Sequence, residues 1–142
     1  MPINILNKRN KINLSTDTNT INILVDRSSP LGNPFEVFTH TVDAHNECIQ
    51  LYRKYLWYII KDKNINLHDI ANVTCTKTYP VSKVWLNKKW DRRQVIEELS
   101  KIVNHVKQGK TVNLICWCTP LPCHADIISK CINYLITNNI EL

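Results

Sequence analysis

Glycine is scarce in this chain, since only Gly32 and Gly109 occur among its 142 residues. Loops that cradle phosphates with backbone amides, such as the Walker motif and the dinucleotide fingerprint, need several glycines at fixed spacing. Neither pattern is present. A bound phosphate would therefore have to be held in another way. We expect each glycine where the backbone needs a positive φ or a close approach.

Long apolar runs are also missing. The longest dense run, YLWYII at 55–60, is far shorter than the roughly 20 residues that a membrane-spanning helix needs. The first residues, MPINILNKRN, do not contain the apolar segment of a signal peptide. We therefore expect a cytoplasmic protein with no membrane partner. In that reducing compartment, the six cysteines are expected to be free, buried, metal-bound or reactive rather than disulfide-paired.

The composition is typical of a folded protein, with 44% hydrophobic and 21% charged residues. The length suits a single domain over 1–142. The formal net charge of +6 is compatible with a nucleic acid or a small polyanion, such as a nucleotide phosphate, as partner. The basic residues form short groups at 8–11, 61–63 and 87–93, which is more typical of a solvated surface than of a nucleic-acid site.

The apolar residues alternate between strand and helix spacing along the chain. Strands are predicted at 3–7, 21–26 and 111–118, with a further strand-like alternation at 72–81. Helices are predicted at about 42–60, 91–108 and 124–136, with Asp91 as the cap and Gly109 as the stop of the second helix. This order predicts an α/β fold: a single compact Rossmann-like domain with a largely parallel sheet flanked by helices.

Two loops, RSSPLGNPF at 27–35 and CWCTPLPCHAD at 116–126, connect predicted strands to predicted helices. In a parallel sheet such loops lie at the carboxyl edge of the strands, where open α/β folds bind ligands. We expect both loops on one rim, and in one cleft if their strands are neighbours. The cleft is the predicted ligand site.

The first loop has the residue types that an anion or ribose site needs. Arg27 offers charge and bidentate hydrogen bonds, Ser28 and Ser29 offer hydroxyls, and Gly32 lets the backbone come close. Asn33 adds an amide that both donates and accepts. The alternative interpretation is that the prolines and Gly32 only make a rigid turn, with the phenylalanine after it in the core.

The second loop contains four residues of types that zinc accepts. Cys116, Cys118, Cys123 and His124 all lie within nine residues, whereas structural zinc usually joins two separated pairs. Zinc is therefore an alternative that the spacing does not favour. Cys116, deep in an apolar run, also fits an ordinary core residue.

Two further hypotheses concern the start of the last helix. Cys123 falls where free amides and the helix dipole stabilise a thiolate, which suggests a catalytic group of Cys123, His124 and Asp126. The alternative is a buried or capping cysteine, because neighbouring helical side chains point about 100° apart. In the other hypothesis the helix start binds a ligand, and His124 and Asp126 contact polar groups of that ligand. Trp117 would then offer an aromatic face to the ligand, and Cys118 would line the bend.

The two motifs together resemble those of the family called domain of unknown function 4326, found in bacteria and their phages. They are Arg-x-x-Pro-x-Gly-Asn-Pro-Phe at 27–35 and Cys-Trp-Cys-x-Pro-x-x-Cys-His-x-Asp at 116–126. The chain departs from the family where Asp26 and Ala125 replace frequent glycines and where 61–90 is longer. The resemblance implies a compact Rossmann-like domain with a shared polar rim, and no particular activity.

Three functions remain open from the sequence. The leading hypothesis is binding of a nucleotide-like or ADP-ribose-like ligand between the two loops. In a phage setting, in the host cytoplasm, such a protein could sequester or alter a host nucleotide signal. The alternatives are an enzyme acting on a nucleotide or nucleoside, for example at an N-glycosidic bond, and a zinc-stabilised nucleic-acid-binding protein. A homo-oligomer is compatible with each.

Overall fold

The central sheet is built from three strands that share a local sequence pattern. INIL at 3–6, INIL at 21–24 and VNLI at 112–115 each place an asparagine after one apolar residue and before two more. These segments form β1 (Ile3–Asn7), β2 (Thr20–Leu24) and β5 (Thr111–Cys116). β5 lies in the middle and pairs in parallel with both others.

In this computed structural model the described residues are 3–7, 19–26, 29–33, 35–37, 42–62, 81–84, 91–116 and 124–142. Within them three helices follow the strands: α1 (Val42–Lys61), α2 (Arg92–Lys107) and α3 (His124–Thr137). A second, two-stranded sheet pairs β3 (Phe35–Val37) with β4 (Val81–Val84) in antiparallel orientation. The predicted α/β class, with its parallel sheet flanked by helices, is confirmed.

The hydrophobic core lies between one face of the parallel sheet and the three helices. Side chains alternate along a strand, so Val112, Leu114 and Cys116 share one face, and all three are completely buried in a cluster with helix residues. The helices contact one another as well as the sheet. Their buried residues repeat at helical spacing, as predicted: Leu51, Tyr52, Tyr55, Leu56 and Ile59 in α1; Val95, Leu99, Ile102 and Val103 in α2; and Ile128, Ile132 and Leu135 in α3.

The ends of α2 follow the predicted chemistry. Asp91 is its N-cap, and its carboxylate accepts from the Gln94 amide at 3.0 Å while the Gln94 side chain accepts from the Asp91 amide at 2.7 Å. Gly109 follows the helix with φ of +79°, and a Cβ built there would meet nothing within 4 Å. The left-handed backbone, rather than lack of space, is therefore the reason for glycine at this position.

Three predictions about strands differ from the structure or fall outside it. The first loop is interrupted by β3, so Phe35 begins a strand rather than ending a turn. Three residues carry too little periodicity to be recognised, and their partner β4 lies far along the chain. Of the strand expected at 72–81, only Val81 lies within the described residues, where it begins β4. Residues 117–118 of the last predicted strand also lie outside them.

Asparagines at matching positions form a ladder across the sheet. Asn4 and Asn22 both stand opposite Asn113 in the register. The Asn4 amide donates to the Asn113 side-chain oxygen at 3.2 Å, and the Asn113 amide donates to the Asn22 oxygen at 2.9 Å. Because a slip of one residue would turn every asparagine toward the core, these bonds fix the register of all three strands. None of the helices in the described part has the length and hydrophobicity to cross a membrane.

Replacing Asn113 alone by valine should lower the free energy of unfolding by about 1–2 kcal/mol, because two neighbouring amides lose their partner in a partly buried site. The variant with valine at Asn4, Asn22 and Asn113 should be more stable than the single variant, since no polar partner is left behind and valine suits strands. Urea unfolding followed by circular dichroism measures both. A triple variant less stable than the single one would contradict the ladder's role.

Candidate functional site

The carboxyl ends of β2 and β5 lie side by side, because the two strands are neighbours in the sheet. Pairing continues one residue beyond β2, where the Val25 amide donates to the Ile115 carbonyl oxygen at 2.9 Å. The loops that follow these strands therefore begin at the same edge, as expected from the parallel arrangement.

A hydrogen bond from His124 joins the two sides of this edge. His124 is the first residue of α3 and is only 5% exposed, and its Nε2 bonds the carbonyl oxygen of Val25 at the end of β2. A carbonyl oxygen can only accept, so Nε2 carries the proton and donates. Any proton exchange between His124 and a ligand would then have to use Nδ1.

Tyr52 of α1 supports both the histidine and the first loop. Its ring meets the His124 ring edge-on, with centroids 5.1 Å apart and planes at 82°. Its buried hydroxyl donates to the Leu31 carbonyl oxygen at 2.7 Å. One aromatic side chain thus connects α1, the start of α3 and the loop after β2.

The first loop is folded by its own hydrogen bonds. The amide and the hydroxyl of Ser29 both donate to the Asp26 carbonyl oxygen, each at 3.0 Å. The Gly32 amide donates to the Ser29 carbonyl oxygen at 3.1 Å, which closes a β-turn over 29–32. The turn over 29–32 is compatible with the rigid-turn interpretation, whereas Pro34 and the side chain of Phe35 lie outside the described residues. The ligand-binding role of the turn stays a prediction.

Asn33 attaches the end of this turn to α1. Its side-chain amide lies 3.4 Å from the Cys48 carbonyl oxygen and 3.6 Å from the Cys48 sulfur, and it donates toward both. The predicted ligand-binding amide is therefore also a structural donor. A ligand that used the same N–H group would compete with this contact.

At the start of α3, Asp126 is exposed while Ala125 is completely buried. An acidic side chain in the first helical turn is favoured by the helix dipole. The methyl group of Ala125 packs in the core and does not extend into the solvent. Asp126 is thus the solvent-facing acid of this helix start.

The structure brings together some of the predicted site residues and says nothing about others. Ser29, Gly32, Asn33, His124 and Asp126 lie in the loop after β2 or in the first turn of α3. The remaining predicted ligand-binding or catalytic residues lie outside the described residues: Arg27, Ser28, Trp117, Cys118 and Cys123. Their roles stay predictions.

The polar role of Tyr52 was not predicted from the sequence, in which the residue fits the apolar spacing of the helix at 42–60. A buried tyrosine hydroxyl needs a hydrogen-bond partner, and this rule could have marked Tyr52 as more than a packing residue. The carbonyl partners at Val25 and Leu31 left no signal, because every residue type has the same backbone oxygen.

Two of the four candidate zinc ligands, Cys116 and His124, lie within the described residues. Cys116 is completely buried, as predicted for a core residue, and His124 uses Nε2 for the Val25 carbonyl. Cys118 and Cys123 lie outside the described residues. Within the described ranges no three His, Cys, Asp or Glu side chains are grouped closely enough to hold a metal ion. Zinc binding through the second loop stays an untested alternative that the cysteine spacing does not favour.

The described cysteines are free thiols in different surroundings. Cys116 is in the core, whereas Cys48 and Cys131 are partly buried. Burial raises the pKa of the Cys131 thiol to about 12, because the thiolate would be poorly solvated. Cys131 is therefore protonated and unreactive near neutral pH.

Comparison with protein families shows a match over most of the chain. Fold and site together define a small α/β domain in which the loop after β2 and the first turn of α3 meet at the carboxyl edge of neighbouring parallel strands. Residues 7–134 match the family described as "Domain of unknown function (DUF4326)", and the chain belongs to this family. Neither the curated proteins nor the solved structures compared with the chain include one that matches it.

Tyr52→Phe should lower the free energy of unfolding by about 1 kcal/mol, because the Leu31 carbonyl loses a buried hydrogen bond while the ring contact with His124 remains. Tyr58→Phe is the matched control, since Tyr58 lies on the same helix and is 43% exposed. Urea denaturation would measure both. Equal stability of the two variants would show that the Tyr52 hydroxyl does not hold the loop.

Alkylation of Cys131 by iodoacetamide should accelerate about tenfold per pH unit from pH 7 to pH 11, because the thiolate fraction rises tenfold per unit below a pKa of about 12. Mass spectrometry of digested protein resolves Cys131 from the other cysteines. The same digest follows Cys123, for which the thiolate hypothesis predicts rapid labelling near neutral pH. A Cys131 rate that levels off below pH 9 would contradict the effect of burial.

Proposed function

We propose that the chain binds a nucleotide-like or ADP-ribose-like ligand at the edge formed by the loop after β2 and the first turn of α3. The observation that carries the proposal is the hydrogen bond from His124 to the Val25 carbonyl, which holds the two segments against each other. The carboxyl edge of adjacent parallel strands is where open α/β folds bind ligands. The family match itself assigns no ligand.

The residues at this edge are of types that bind the phosphate, the ribose and the base of such a ligand. The first turn of α3 lies at this edge, and backbone amides at the start of a helix generally favour a phosphate. Asp126 is exposed beside them and can accept hydrogen bonds from ribose hydroxyls or from an exocyclic amine. Arg27, which follows Asp26 directly in the sequence, would supply the positive charge for a phosphate.

The fixed geometry of the edge lowers the cost of binding. The turn at 29–32 is closed by backbone hydrogen bonds and is attached to α1 through Tyr52 and Asn33. A ligand would therefore meet a turn that is already ordered, and less conformational entropy is lost on binding.

Isothermal titration and thermal shift against AMP, ADP, ADP-ribose, NAD and inorganic phosphate test the proposal. A bound ligand raises the melting temperature with its concentration, because it binds only the folded state. Arg27→Ala should weaken binding at least tenfold, as expected for the loss of a charged hydrogen bond of about 1.5–3 kcal/mol. Asp126→Asn should weaken the binding of ligands that carry ribose more than it weakens the binding of inorganic phosphate.

Arg93→Ala is the matched control, since Arg93 is an exposed arginine on α2 and pairs only weakly with Glu97 at 3.6 Å. It should leave binding within about twofold of wild type. Two outcomes would refute the proposal: no compound in the panel raises the melting temperature, or Arg27→Ala and Arg93→Ala bind the ligand equally well. Analysis of the titrated ligand by chromatography shows whether it is also converted.

A further inference from the structure

A second concave surface lies between α1 and α3. It forms a cavity of about 300 Å³, and the described residues that line it belong to these two helices. That volume is at the lower end of small-molecule sites, which span roughly 300–1,000 Å³. Ser29, Gly32, Asn33, His124 and Asp126, the described residues of the proposed ligand site, are not among the residues that line it.

The walls of the cavity are apolar and aromatic. It is lined by Leu56 and Trp57 of α1 and by Ile127 and Tyr134 of α3. The Trp57 and Tyr134 rings meet edge-on, with centroids 5.1 Å apart and planes at 87°. Tyr134 is nevertheless 44% exposed, so a large aromatic surface remains open to solvent at this place.

Both charged residues among the described residues that line the cavity are basic. Arg53 and Lys130, both exposed, line the cavity from opposite helices. Lys61 lies nearby, with its Nζ 4.8 Å from the centre of the Trp57 ring. Among the described residues that line the cavity, none is acidic. The local field therefore favours an anion.

The arrangement of Trp57 selects a compact ligand over a nucleic-acid strand. Bases of single strands stack on open aromatic faces. Lys61 lies over Trp57, and Tyr134 packs against the same residue edge-on, so the indole is a wall of the cavity rather than an open platform. The site suits a molecule with a flat apolar body that enters between the helices and an acidic group that stays at the basic rim.

We infer that the α1–α3 cavity is a second binding site, which takes a small amphipathic anion: an aromatic carboxylate or a comparable acid. Its apolar body packs among Leu56, Trp57, Ile127 and Tyr134, and its acidic group lies between Arg53 and Lys130. This site is independent of the proposed nucleotide-like ligand, and either can fail without the other.

The probe for the test is 2-naphthoate, with the neutral 2-naphthamide as its uncharged counterpart. Isothermal titration should show naphthoate binding at least fivefold tighter than the amide, because only the acid interacts with the two cations. The double variant Arg53→Gln/Lys130→Gln should raise the dissociation constant for naphthoate about tenfold. Its dissociation constant for the amide should stay within about twofold of wild type.

The matched control is Arg93→Gln/Lys101→Gln, which removes the same charge from exposed positions of α2. It should bind naphthoate within about twofold of wild type. Circular dichroism confirms that both double variants are folded. Equal losses in the two double variants would show that net charge, rather than this cavity, attracts the probe, and would overturn the inference.

Cys131 reports the location of the bound probe, because it lines the cavity and is a free thiol. Saturating naphthoate should slow alkylation of Cys131 by iodoacetamide at least threefold at pH 9, as expected when a ligand covers the thiol. Binding without this protection would place naphthoate elsewhere and overturn the inference.

Two further outcomes also count against the site. Naphthoate that does not bind at millimolar concentration would refute it. A wild-type chain that sediments as a dimer, with the Arg53→Gln/Lys130→Gln variant sedimenting as a monomer, would instead identify the surface as an interface between two copies of the chain.

Discussion

The parallel pairing of β2 with β5 is the constraint on which the rest of the structure depends. It aligns the ends of two strands that are about ninety residues apart in sequence. Val25 then stands where His124 can donate to its carbonyl oxygen, so the start of α3 and the loop after β2 share an edge. The asparagine ladder fixes the register of this pairing, and with it the position of both segments.

Buried polar groups connect the core to this edge. His124 and Tyr52 are buried, yet each donates to a backbone carbonyl of the strand or loop opposite. Such bonds add modest stability, but a buried donor without its partner is costly, so competing arrangements of the loop are disfavoured. The core therefore determines the shape of the candidate site as well as the stability of the fold.

The fold could largely be predicted from the sequence because apolar periodicity reports burial. The ranges of β1, α1, α2 and α3 agree closely with the pattern, and Asp91 and Gly109 mark the ends of α2 as their chemistry dictates. The short strand β3 was missed, since its pairing with β4 is a long-range event with little local signal.

The common edge of the two loops was predicted, whereas the partners of His124 and Tyr52 were not, because backbone oxygens look alike in every sequence. The α1–α3 cavity was also missed, since Trp57 and Ile127 fit an apolar stripe equally well whether or not a space lies between them.

The central claim is that ligand recognition takes place where β2 and β5 end. Chemical-shift mapping of the ¹⁵N-labelled chain during titration with ADP-ribose tests it most directly. The account predicts that the amide signals of Val25, Ser29, Gly32, His124 and Asp126 move together and saturate at one concentration. Signals that do not move, or that move only in α1 and α3 around Trp57 and Tyr134, would contradict it.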